Sequence, residues 1–351
     1  MPSLFTFPTS ADLEEIEQDM LPRLEADRPL SQFFPTENKD ADVILWEQMD
    51  SYYGLQQARG LNGEFPSVPK TQGRRTPMTP GVYGEFEPID EAELTTRRKY
   101  GTFAEPIDIS DLVAPIQTKL LQRRLDRQEW ILWQFLVNGQ ISVAGPNGAT
   151  VVTGAYNVQK FTATVPWATT ATATPSANFR LAKLLGRGYS VDFGAKAYAF
   201  MNSQTFNYLA LNTNPADLYG RRLQWGATAN NLASISALLQ GDDLPQIVVY
   251  DKVYRTTPTQ ADGTFGYNLY IPNNTVIIIG ERPGGRAIGK YQYTRNANNP
   301  GMGPGPYMEV IDTMGGPEGS HRRPPRTIEV YDGHNGGMKL MYGSAIINMA
   351  V

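Results

Sequence analysis

PIQTKLLQRRLDRQEWILWQFLVN, Pro115 to Asn138, is the stretch on which the reading of this chain turns. Pro115 suits a first helical position, where its missing N–H costs nothing. Gly139 follows the last periodic residue and suits the left-handed conformation that ends a helix. Between these ends there is no glycine or further proline, and good helix formers dominate. At the helical rise the segment spans about 36 Å, roughly twice the mean helix of a soluble domain. Ile116, Leu120, Leu121, Leu125, Leu132 and Leu136 form an apolar stripe, opposed by Lys119, Arg123, Arg124, Asp126, Arg127 and Glu129. The last two turns, from Trp130 to Val137, are apolar all round. That end is expected to be buried, while the middle lies along a charged surface.

The totals around this helix set bounds. The chain has 351 residues, 41% hydrophobic and 19% charged, enough for one large domain or two smaller ones. A net charge of −4 gives no overall attraction to nucleic acid. Without cysteine there can be no disulfide and no thiolate metal site. The first 30 residues are acidic and broken by proline, unlike a secretory signal. No apolar run reaches the roughly 18 residues of a membrane span, so no membrane partner is expected.

Upstream, residues 1–41 read as an arm. Ser10–Leu21 has an N-cap serine and an acidic first turn, as a short helix requires. Pro22, Pro29 and Pro35 should then keep the chain extended, leaving Phe33 and Phe34 as apolar anchors without a nearby core. From residue 42 to 107 glycine and proline recur and large aliphatics are scarce. Two readings fit: a disordered insertion, or an extended two-stranded finger reaching a neighbouring molecule. The alternation of Val82, Phe86 and Ile89 with polar residues favours the finger.

Downstream, Ile141 and Val143, the turn Pro146-Asn147-Gly148 and Val151-Val152 predict a hairpin. Residues 158–165 predict a strand. Residues 176–289 predict a mixed α/β unit. Its helices are 178–188, 203–212 (capped by Ser203) and 230–240. Its strands are 196–201, 246–254, 267–271 and 275–279. Residues 290–325 read as a second Gly/Pro-rich excursion, and the chain closes with strands either side of a Gly-His-Asn-Gly-Gly turn at 333–337.

Chemical motifs are weak. Gly284 to Lys290 has phosphate-loop spacing, but Tyr291 stands where a magnesium-holding Ser/Thr is needed and a strand-like segment follows instead of a helix. His321 and His334 lie in Gly/Pro-rich loops, read as surface positions and not as metal ligands. No G-x-S-x-G elbow supports a nucleophilic serine. No catalytic residue, cofactor or metal is expected. Two basic runs, Arg97-Arg98-Lys99 and Arg322-Arg323 with Arg326, suit nucleic acid or an acidic neighbour, with protein–protein ion pairs favoured.

The order of parts carries more than any motif. FLVNGQISVAG (135–145), Trp167 before a small-residue connector, YNLYIPNNTVIIIG (267–280) and IGKYQY (288–293) resemble the major capsid protein E family of lambda-like tailed phages. The resemblance implies an α+β tailed-phage capsid fold. Residues 1–41 would be its N-terminal arm and 42–107 its extended loop. Residues 108–165 and 287–337 would form a peripheral domain with spine helix 115–138, and 166–286 with 338–351 an axial domain. It further implies hexamers and pentamers in an icosahedral shell enclosing double-stranded DNA, which touches the inner face non-specifically. Scaffolding, decoration and portal proteins are its implied partners, the virion its location and the host cytoplasm its place of assembly.

A shell subunit must bury aromatic and charged groups on its neighbours. The expected inter-subunit contacts are Phe33, Phe34, Trp46, Tyr83, Phe86, Arg97, Arg98, Arg124, Arg322 and Arg323. On this reading Phe34→Ala and Phe86→Ala lose assembly and keep the fold. Two other functions remain open at this point: an encapsulin-like nanocompartment shell protein of related fold, and a secreted carbohydrate-binding β protein suited to the Tyr, Gly and Thr content.

Overall fold

The structure is a computed structural model describing residues 10–48, 55–61, 63–65, 67, 74–96, 109–144, 150–155, 158–189, 191–218, 220, 231–255, 266–282, 284–312 and 327–351. Its helices are α1 (Ser10–Ala26), α2 (Glu91–Thr96), α3 (Ile109–Asn138), α4 (Pro175–Gly186), α5 (Ser203–Ala210) and α6 (Leu232–Gly241). The strands run β1 (Thr36–Asn38), β2 (Ile44–Gln48), β3 (Arg74–Met78), β4 (Gly81–Ile89), β5 (Gln140–Ala144), β6 (Thr150–Ala155), β7 (Gln159–Thr162) and β8 (Tyr198–Met201). They continue with β9 (Gln246–Val249), β10 (Val253–Arg255), β11 (Tyr267–Leu269), β12 (Thr275–Ile279), β13 (Gly289–Tyr293), β14 (Pro306–Asp312), β15 (Ile328–Leu340) and β16 (Ile346–Ala350). The chain divides into a first unit, Met1–Ile44, Met78–Glu129 and Tyr291–Met338, and a second, Leu45–Pro77, Trp130–Lys290 and Lys339–Val351.

Helix α3 begins six residues before the expected start, so Pro115 sits in its second turn, not its first. The carbonyl deprived of a partner belongs to Asp111, and both residues face solvent, where water can replace the bond. The helix ends as expected: Gly139 takes φ 71°, and its N–H donates to Phe135 O at 2.8 Å. Up to Glu129 the helix belongs to the first unit, and from Trp130 to the second.

In the first unit a five-stranded sheet has the order β1–β13–β15–β14, with β4 on the other edge of β15. Its inner face packs on α3. Ile89, Ile328 and Val330 from the sheet meet Ile109, Leu112, Val113 and Leu120 from the helix. Each such side chain, fully buried, contributes about 1.5–3 kcal/mol. The first 41 residues are not a detached arm. Helix α1 runs through Pro22 to Ala26, β1 pairs in parallel with β13, and Leu30, Phe33 and Phe34 are buried in the chain's own core.

Two further expectations fail here. The finger was expected to include residues 82–89, but β4 joins the sheet, with Phe86 opposite Tyr331. Only β2 and β3 form a separate two-stranded ribbon. The expected turn at 333–337 is also absent, because β15 runs straight through it. Its glycines mark close approaches. A Cβ on Gly333 would stand 2.7 Å from the Tyr307 ring, and one on Gly337 would stand 2.9 Å from Ile44 Cδ1. The excursion at 290–325 likewise contains β14 and the end of β13.

The second unit holds a sheet of order β7–β16–β12–β8–β9 beside the β5–β6 and β10–β11 hairpins. The turn 146–148 lies outside the described residues. Trp133 is buried against Phe200 and Tyr250, with ring centroids 5.5 and 5.2 Å away. Trp167 meets Phe179 edge-on at 5.6 Å. Helix α5 is capped not by Ser203 but by Asn202, whose side chain accepts from Thr205 N at 2.8 Å. Expected strand 246–254 is broken into β9 and β10, since Tyr250 and Asp251 lie outside both.

Candidate assembly surfaces

Strand alternation gives the first unit's sheet two unlike faces. On β4, residues 83, 85, 87 and 89 turn towards α3, where Glu85 pairs with Arg123, and Glu87 with Lys119 at 2.6 Å. Residues 82, 84, 86 and 88 turn away. In register with them on this outer face are Glu329, Tyr331, Gly333 and Asn335 of β15 and Tyr307, Glu309 and Ile311 of β14. Phe86 stacks on Tyr331 at 5.2 Å. The Tyr307 ring lies across Gly333 towards Gly84. Aromatic rings thus pave the outer face, with Val82 70% and Phe86 53% exposed. Tyr331 donates to Glu329, which, with burial and the nearby Glu309, pushes the phenol's pKa up. The face carries two carboxylates and no basic residue.

The opposite face covers a buried polar cluster. Arg124 lies between Asp332, at 3.0 Å, and Glu17 of α1. Burial disfavours its charge, but the two carboxylates outweigh that and raise its pKa. Burial lifts Asp332 to about 6 against the pull of Arg124. His334 is buried, its Nε2 3.0 Å from the Tyr291 hydroxyl and its ring stacked on Tyr83 at 5.1 Å. Burial, with Arg124 and Arg127 nearby, takes its pKa down to about 3, so the ring is neutral and accepts from Tyr291. The surface position expected for His334 is therefore wrong: a residue that reads as a turn is in the central strand. Gln128 Nε2 donates to the Tyr293 hydroxyl at 2.5 Å.

The β2–β3 ribbon spans residues 44–78. In the segment it encloses, Leu55 and Leu61 are each 99% exposed and Phe65 80%. The Arg59 guanidinium lies 3.8 Å over the Phe65 ring and donates to Gly63 O at 3.0 Å. In the second unit, α4 exposes Leu181, Leu184 and Leu185 beside Arg180, paired with Asp242, and Lys183, paired with Asp243.

Of the expected contact residues, Phe86 is on the exposed face and Trp46 is in β2. Tyr83 is half-buried against His334. Phe33, Phe34 and Arg124 are buried within their own chain, so the expectation that no local core claims the two phenylalanines is corrected. Arg97, Arg98, Arg322 and Arg323 lie outside the described residues, as do His321 and Lys70. Leu55, Leu61 and the α4 leucines were missed. Leu181, Leu184 and Leu185 carried a readable signal, since α4's apolar residues exceed one buried stripe. The Gly284-Gly285 turn leads into β13, a strand, and so presents no helix N-terminus to a phosphate. Among the described residues no His, Asp and Glu cluster suits a metal ion, and no helix is long and apolar enough to cross a membrane.

Two units, a separate ribbon and several uncovered apolar faces suit a subunit surrounded by others. The family model for phage major capsid protein E matches residues 29–319. The chain belongs to the phage major capsid protein E family. No curated protein matches it. Among solved structures, a phage-related protein of Bordetella bronchiseptica RB50 is similar with TM-score 0.52 at 11% identity, over 93% of this chain and 96% of that one. A prophage protein of E. coli CFT073, assigned as its capsid protein, is similar with TM-score 0.50 at 12% identity, over 95% of this chain and 98% of that one. The fold is the tailed-phage capsid fold. The chain is a major capsid protein, a structural subunit of an icosahedral phage head, and assembles as an oligomeric shell.

Proposed function

We propose that the subunits gather as hexamers and pentamers whose lattice closes around double-stranded DNA. In this reading the first unit is the peripheral domain, with α3 as its spine, and the second unit is the axial domain, which surrounds the five- and six-fold axes. The carrying observation is that the uncovered surfaces differ from one another: an acidic aromatic sheet face, a ribbon ending in Leu61 and Phe65, and a leucine face on α4. Unlike patches make head-to-tail contacts, and such contacts close rings when the rotation permits.

Assembly in the host cytoplasm, with scaffolding, decoration and portal proteins as partners, belongs to the same reading, and so does non-specific contact of DNA with the inner wall. The net charge of −4 favours light contact over tight wrapping.

Negative-stain electron microscopy of the purified protein, with size-exclusion chromatography beside it, tests the proposal. Shells, or rings of five and six, are expected. A monomer at every concentration, alone and with its neighbouring genes co-expressed, would overturn it.

A further inference from the structure

The outer face of the β4–β15–β14 sheet and the segment held by the β2–β3 ribbon are complementary in two respects. The first is charge. The face carries Glu309 and Glu329 and no cation. The sequence from Leu55 to Pro77 carries Arg59, Lys70, Arg74 and Arg75 against the single Glu64. The second is apolar character. Val82, Phe86 and Ile311 are exposed on the face; Leu55, Leu61 and Phe65 are exposed on the segment. Leaving both uncovered forfeits about 25 cal/mol for every Å² that contact would remove from water.

Arg59 joins the two respects. Its guanidinium is already held over Phe65 and by Gly63 O, so little side-chain freedom is lost on docking. A guanidinium presented on an aromatic ring suits a surface that offers both carboxylates and further rings. The α4 face is the poorer match, because its leucines are flanked by Arg180, Lys183 and Arg187, which would repel a cationic segment.

We propose that the outer face of this sheet is the docking site for the ribbon segment of a second copy of the chain, with Phe65 and Leu61 seated on the Phe86–Tyr331 pavement and Arg59 facing Glu309 and Glu329. The contact is heterologous, since one copy gives its ribbon and the next its sheet, and it recurs around a ring. The proposal rests on the chain forming rings and shells, and it names the surfaces that join neighbours.

The absence of cysteine makes the test direct. Val82→Cys places one thiol on the sheet face, and its maleimide labelling is timed in assembled shells and in dissociated subunits. Labelling about tenfold or more slower in shells of the purified protein is expected, because access then requires local opening. Equal rates would overturn the proposal, as would protection that needs an added second protein. The occupant is identified by charge reversal. Arg59→Glu alone, and Glu309→Lys with Glu329→Lys, should each lower shell yield at unchanged circular dichroism. Combining all three should restore it. Protection of the Val82→Cys thiol without that rescue means a different occupant and overturns the proposal. Should the reversed glutamates unfold the subunit, a disulfide between Val82→Cys and Leu61→Cys decides. Oxidised shells should give a ladder of covalent multimers, and monomer only would overturn the proposal. If the unaltered protein forms neither ring nor shell, the assembly reading itself fails and this contact with it.

Discussion

Arg124, Asp332 and His334 share one buried site, and the last two titrate in opposite directions. Asp332, raised to about 6, is stabilising in its protonated form, and that contribution is lost as pH rises from 3.8 through about 6. His334, lowered to about 3, is stabilising in its neutral form, and its contribution is lost as pH falls from the unfolded value of 6.5 towards 3. Between about pH 4 and 6 the folded site holds one proton on Asp332 and the unfolded chain holds one on His334. The net uptake is near zero, and these two groups leave stability flat across that window. Each variant removes one side of the balance. Asp332→Asn should melt progressively lower as pH falls from about 6.5 to about 4, and His334→Gln should melt higher over the same range. Thermal unfolding monitored by circular dichroism at several pH values checks both; parallel pH profiles in the three proteins would refute the balance. Removing Arg124 leaves Glu17 and Asp332 facing each other without a cation, and Arg124→Ala should cost about 3–5 kcal/mol. Phe34 and Phe86 separate in the same assay. The buried Phe34→Ala should lose about 3–5 kcal/mol of stability. Phe86→Ala should stay folded and lower shell yield.

Among the elements, β15 shows why a glycine-rich string can be a strand. The Gly333 position is filled by the ring of Tyr307, so Gly333→Ala must push that ring off the sheet. A loss of about 1–3 kcal/mol is expected, the usual cost of overpacking, measured by chemical denaturation. Tyr307→Ala combined with Gly333→Ala should recover part of it, because the obstacle is gone. Helix α3 shows the opposite case. Its 3.6-residue period, its C-terminal Gly139 and the apolar turns from Trp130 were all readable. Its true start was not, because a solvent-facing proline in the second turn tolerates a missing bond that the sequence reading treats as a boundary.

For the subunit as a whole, the family and the capsid fold follow from the order of parts, and the assembly contacts follow from which surfaces the fold leaves uncovered. The leucine face of α4 supplies a prediction at this level. Leu181→Glu with Leu184→Glu should leave the melting temperature of the subunit within about 4 °C, since exposed substitutions change stability little. It should nevertheless stop or remodel ring formation, read by size-exclusion chromatography and electron microscopy. Unchanged shells would assign that face to solvent.

Read alone, the chain yields the long helix, the hairpin after it, the TVIII strand at 275–279, the lack of a phosphate loop and the resemblance to capsid proteins. These are local or ordered along the chain, and hydrophobic period, turn residues and succession suffice to read them. Long-range pairing settled the rest. Phe33 and Phe34 look unclaimed until α1 and β1 fold back onto distant residues. His334 looks like a loop residue until β4 and β14, both far from it in sequence, flank it on either side. Phe86, Tyr331 and Tyr307 form one face only because register brings three strands together. Burial and charge proximity are set by such pairing, and no local pattern in the chain encodes them.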